Sequence, residues 1–159
     1  MSTIVIRDVW KKTVFPVAFV AASVGTIPSM ACTSFRAVEV SQVRAVAEAN
    51  GGYQISDSQC ELLKRKSLVL HVVGYGAVLS GVAVGWAEVR LQDAEIGAIS
   101  GQAGLSTFVN SANVTQEFAD QLLVAAVRDA IGRLNFEVAA GQIEGYRRKA
   151  SSGNAAPQR

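Results

Sequence analysis

The chain has 159 residues, half of them hydrophobic and 18% charged, with a formal net charge of +2. That length suits one domain, and a chain this rich in apolar side chains and this poor in charge is not an extended disordered polymer. Arg7, Asp8, Lys11 and Lys12 are the only charged residues before residue 32, so the remainder is formally neutral and offers no electrostatic case for a nucleic-acid partner.

Arg7, Lys11 and Lys12 lead into an uncharged stretch, residues 13–35, whose apolar heart runs from Val14 to Ala22. Pro28 interrupts any helix, and Ser29 and Ala31 put small residues three before and one before Cys32, the pattern a signal peptidase accepts. The expectation is a signal peptide over residues 1–31, cleaved on export, and a periplasmic or secreted domain that begins at Cys32. Two other readings use the same residues. A lipoprotein would carry its lipid on Cys32, although Ser29 and Met30 stand where such sites want an aliphatic and a small residue. An uncleaved anchor over residues 13–35 is long enough to span a bilayer, but Pro16, Ser23, Gly25 and Pro28 make it a poor span.

Cys32 and Cys60 are the only cysteines. In an oxidising compartment an even count predicts one disulfide between them, worth about 3 kcal/mol in the chain-entropy model. One histidine and two cysteines supply no usual zinc ligand set, and no cofactor is expected.

Ser41, as cap, opens a short helix through Asn50 that Gly51-Gly52 ends. Tyr53-Gln54-Ile55 reads as a brief strand. Ser56-Asp57 caps a second short helix, Gln59 to Lys66, whose closing Lys64-Arg65-Lys66 suits the negative end of the helix dipole. From Ser67 to Ala87 no Asp, Glu, Lys or Arg occurs, and two structures compete. As strands, Leu68–Val73 and Val82–Leu91 form a hairpin across a glycine-punctuated turn region, Gly74 to Gly81. As a membrane helix, residues 67–87 span a bilayer with Ala77, Gly81 and Gly85 as a small-residue face. The valine content and the alternation that continues into Glu88-Val89-Arg90-Leu91 favour the hairpin.

Asp93 to Gly104 reads as a turn or flexible loop, and Leu105–Val109 as a third strand. From Val114 to about Val138, apolar residues such as Phe118, Leu122, Leu123, Ala126 and Ala130 recur at helical spacing and predict a long amphipathic helix, capped by Asn113 or Thr115. Residues 150–159 have the composition of a disordered tail. The sum is an α+β domain over residues 32–149: a small antiparallel sheet of about three to four strands, helices on one face, and a long amphipathic helix near the carboxyl end.

No catalytic constellation emerges. His71, between apolar neighbours, reads as a sheet histidine. Gly74, Gly76 and Gly81 match neither phosphate-loop spacing and read as turn glycines. Glu88, Asp93 and Glu95 form the densest carboxylate group, but a catalytic pair must be held across a cleft. Lys64-Arg65-Lys66 and Arg147-Arg148-Lys149 suit solvated helix ends, or anionic lipid if the chain sits on a membrane. Asn113-Val114-Thr115 fits a glycosylation sequon as well as a helix cap. Trp86 and Tyr75 read as core or sheet-edge aromatics rather than partner contacts. The functional expectation is an exported, non-enzymatic domain of the cell envelope that binds a protein or assembles with itself, using a sheet edge or an uncovered sheet face.

Overall fold

The computed structural model describes residues 37–153. The predicted leader, Cys32 and the end of the tail lie outside these residues, as does the predicted Cys32–Cys60 pairing. The described chain runs β1 (Ala37–Glu39), α1 (Ser41–Ala49), α2 (Asp57–Arg65), β2 (Leu68–Leu79), β3 (Val82–Asp93), β4 (Ile99–Asn110), α3 (Gln116–Arg133) and α4 (Phe136–Gly153). The sheet order is β1-β2-β3-β4, with β1 parallel to β2 and the other pairs antiparallel. The α+β class and the long helix near the carboxyl end stand as the sequence predicts; the sheet is mixed rather than purely antiparallel, because the three residues of β1 join β2 in parallel.

The uncharged stretch is the hairpin. Residues 67–87 form no membrane helix; they build β2 and most of β3, and no helix among the described residues is long and apolar enough to cross a membrane. β2 is longer than predicted, because the turn is only Ser80-Gly81, with left-handed φ of 48° and 80°, the conformation that two-residue hairpins favour, and β3 runs two residues further, to Asp93. Gly74 and Gly76 are therefore strand residues. The predicted loop from Asp93 to Gly104 shrinks in the same way. Asp93 Oδ1 accepts from the amides of Glu95 and Ile96 at 2.8 and 3.0 Å, Gly97 takes a φ of 71°, and β4 starts at Ile99.

Tyr53-Gln54-Ile55 is not a strand, because β1 already occupies the margin of β2 on that side; Ile55 is nonetheless buried. Ser41 is the first helical residue of α1 rather than its cap, and Val40, which has no side-chain hydrogen bond to give, stands at the cap. Ser56 does cap α2, in a full capping box with Gln59. The predicted helix from Val114 to Val138 ends at Arg133. Leu134 leaves the helix in an extended conformation, and Asn135 Oδ1 accepts from Val138 N at 3.1 Å to start α4, an N-terminal cap of the usual kind. Phe136, Ala139, Ala140 and Ile143 then bury one helical stripe, and α4 continues into the stretch read as tail.

Side chains alternate across a strand. Leu70 and Val72 on β2, and Val89 and Leu91 on β3, point into one core with Leu63, Leu123 and Ile143. On this face α3 lies unusually close to the sheet. A Cβ placed on Gly85 would come within 2.3 Å of the Leu122 and Leu123 backbone, and one on Gly104 within 1.9 Å of the Ala130 carbonyl oxygen. A Cβ on Gly76 would meet the Ala119 carbonyl oxygen at 2.8 Å, and one on Gly74 would meet the Leu123 side chain and the Trp86 carbonyl oxygen, both at 2.8 Å. Gly85→Ala and Gly104→Ala are expected to destabilise the fold by about 3 kcal/mol or more, the upper end for overpacking, because backbone is the obstacle. Gly132→Ala, with open space around it inside α3, is expected to stabilise by up to about 1 kcal/mol. Urea unfolding of the three variants checks the contrast.

Candidate functional site

All four helices pack on one side, which leaves the other face of the sheet without helical cover among the described residues. Val69, His71, Val73 and Tyr75 of β2 project from that face, as do the even-numbered residues of β3 from Val82 to Gln92. Cross-strand register aligns Tyr75 with Trp86 and Trp86 with Thr107 in its middle. Neither aromatic belongs to the core. Tyr75 is 49% exposed and Trp86 is half-buried on the open face. Leu79, Leu105 and Val109 extend the same apolar surface. Gln92 Oε1, buried on this side, meets no hydrogen-bond donor among the described residues.

His71 stands on the open face, half-buried, opposite Arg90 on β3 and Val38 on β1. Glu88 is on the same face and pairs with Arg90. Asp93 points the other way and is fully buried, while Glu95 lies in the turn after β3. The three carboxylates therefore do not converge on one cleft. No group of three His, Cys, Asp or Glu residues among the described residues is arranged to hold a metal. Cys60 lies nearly buried on α2. Thr115 is the cap of α3, accepting from Phe118 N at 3.2 Å, and Asn113 is exposed beside it.

The two basic runs have structural tasks. Lys66 pairs with Glu144 at 2.6 Å, and Arg147 bonds the buried Asp93 carboxylate and donates to the Lys66 carbonyl at 2.9 Å. This latch joins the end of β3, the α2–β2 junction and α4. Burial by itself would raise the Asp93 pKa, but the Arg147 guanidinium and the two turn amides hold the carboxyl below its ordinary value of 3.8. The hydrogen bond to Asp93 correspondingly raises Arg147. A carboxyl lowered by folding stabilises the native state above its unfolded pKa, and that contribution is lost as the pH falls through the lowered value.

Two surface grooves of about 390 Å³ each flank α3. One lies between α1 and α3, rimmed by Glu117 and Asp120. The other runs along β4, between Leu105–Phe108 and the pair Asp129 and Arg133. There Asp129 accepts from Ser106 Oγ at 2.7 Å and from Arg133 Nε at 2.6 Å. A smaller cavity between α1 and α3, near Val43 and Tyr53, holds about 10 Å³, room for one water at most. Among the described residues the apolar sheet face and the β4 margin beside it also lie uncovered.

Comparison with protein-family models, with curated proteins and with solved structures finds no match to this chain.

Arg147→Met leaves the buried Asp93 carboxylate with the turn amides alone. Breaking a fully buried pair costs about 3–5 kcal/mol; with the Arg147 side chain 32% exposed, the expected loss is about 2 kcal/mol at pH 7. The wild type should lose stability as the pH drops below 3.8, and Asp93→Asn should lose less over that range. Urea unfolding at pH 7 and pH 3 checks both.

Proposed function

We propose that this chain is an exported, non-enzymatic domain of the cell envelope that acts by binding protein, with the helix-free sheet face as its contact surface. The observation that carries the reading is that face. It sets Tyr75 and Trp86 at its centre and Leu79, Leu105 and Val109 around them, with Glu88 and Arg90 neutralising each other among them. Contiguous apolar surface of this kind marks interaction sites, and aromatic side chains are favoured at the centre of such sites. The basic head, the apolar stretch and the small residues before Cys32 support export. In this reading residues 1–31 are removed, and a disulfide from Cys32 to the nearly buried Cys60 ties the new amino terminus to α2.

Two measurements test it. Intact-mass analysis of protein from its native host should give a chain starting at Cys32 that gains two hydrogens on reduction. An added acyl mass would make it a lipoprotein instead, and a retained Met1 or Ser2 in cytosolic material would sink the export reading. A photoreactive phenylalanine analogue at Tyr75 should yield covalent adducts with protein in the native compartment, while the same probe at Glu137, exposed on α4, should yield none. Equal yields at the two positions would remove the sheet face as the contact.

A further inference from the structure

We infer that the β4 margin is a self-pairing site, at which two copies of this chain join antiparallel through Gly104–Asn110, about a two-fold axis at Thr107, into one continuous sheet. This deepens the protein-binding reading and rests on it.

The two margins of the sheet differ. On one side β1 is three residues long, and the stretch of β2 beyond it is covered: the Gly76 carbonyl accepts from Gln42 Nε2 at 2.8 Å and from Gln116 Nε2 at 2.9 Å. On the other side β4 is twelve residues long. At its start Gln142 Oε1 on α4 accepts from Gln102 N at 2.9 Å, so that end is closed by a side chain. The two-residue turn at Ser80-Gly81 points the backbone groups of Ala83, Gly85, Ala87 and Val89 at β4, where they meet Asn110, Phe108, Ser106 and Gly104, so period-two alternation turns the backbone groups of Leu105, Thr107 and Val109 to the outer side. Native edge strands discourage pairing with charge, proline, shortness or cover. From Ile99 to Asn110 there is no charged residue and no proline.

The register selects a second copy. Centring the pair on Thr107 sets Thr107 opposite Thr107 of the other copy and Ser106 opposite Phe108, so that the outward backbone groups of Leu105, Thr107 and Val109 meet outward backbone groups on both chains. On the open face it sets Leu105 against Val109 of the other copy. These are the most exposed large apolar side chains of the sheet, at 58% and 62%. On the helix side each Phe108 meets Ser106 of the other copy, and so enters the 390 Å³ groove under Asp129 and Arg133. That groove has no unpaired charge to repel it, since Arg133 and Ser106 already bond Asp129. A slip of one residue would set open-face side chains against helix-side ones, so the apolar pairs fix the register.

Size-exclusion chromatography with light scattering on the protein recovered from its native compartment should give the mass of two chains. Leu105→Lys with Val109→Lys places like charges opposite each other and should give one chain, whereas Leu105→Lys with Val109→Glu makes the same positions complementary and should restore two; matching circular-dichroism melts show that both variants fold. Thr107→Cys should form an intermolecular disulfide on mild oxidation, because a directly opposed hydrogen-bonded pair brings Cα atoms to about 5.5 Å, within disulfide reach; Leu105→Cys should not. A one-chain mass for the wild type at high concentration, identical behaviour of the two charge variants, or no cross-link at Thr107→Cys overturns the proposal. If it falls while the probe at Tyr75 still captures another protein, the binding reading survives without self-pairing. If both fail, neither stands.

Discussion

The seating of α3 on the sheet sets the rest of this architecture. Glycines on three successive strands, Gly74 and Gly76 on β2, Gly85 on β3 and Gly104 on β4, present bare backbone where α3 presents backbone and small side chains, among them Ala119, Ala126 and Ala130. Two flat surfaces without Cβ atoms between them approach more closely than two side-chain layers can. Because α3 lies across β2, β3 and β4 at once, it fixes which face of all three strands is the core face. The opposite face follows by alternation and carries no helix among the described residues.

Around that contact the polar groups behave as fasteners. The Asp93–Arg147 pair is the most buried of them, with the carboxylate fully enclosed and four hydrogen bonds shared between its two side chains. Its location explains why the turn after β3 is tight and why α4 returns to the α2–β2 junction. Gln42 and Gln116 make the same kind of connection at the β2 margin, both reaching the Gly76 carbonyl and Asp120. Buried polar groups with this many partners specify one arrangement of elements more than they add net stability.

Much of this was legible in the residues, and the failures share one cause. Strand alternation in Val82–Leu91 and the helical recurrence of Leu122, Leu123, Ala126 and Ala130 are local patterns, and both elements form. Ser56 with Gln59 is likewise a local signal. The glycines are ambiguous, because a glycine that admits a helix backbone looks the same in one dimension as a glycine that turns a chain. Gly74 and Gly104 therefore read as turn residues, which shortens β2 and β4. Arg147 in a basic run near the end of the chain gave no sign of its buried partner, since Asp93 is 54 residues earlier. The helix break was signalled by Asn135, but the apolar period continues past it and hid the cap. Of the candidate surface, the alternation gave the side chains of β3, while the long β4 that completes the face was half concealed in a supposed loop.

The position of β1 has a consequence of its own. Ala37 enters the sheet at the margin farthest from β4, three strand spacings away, or about 14 Å. The described chain therefore enters the sheet on the flank opposite β4, so a contact made along the β4 margin leaves β1 clear of it.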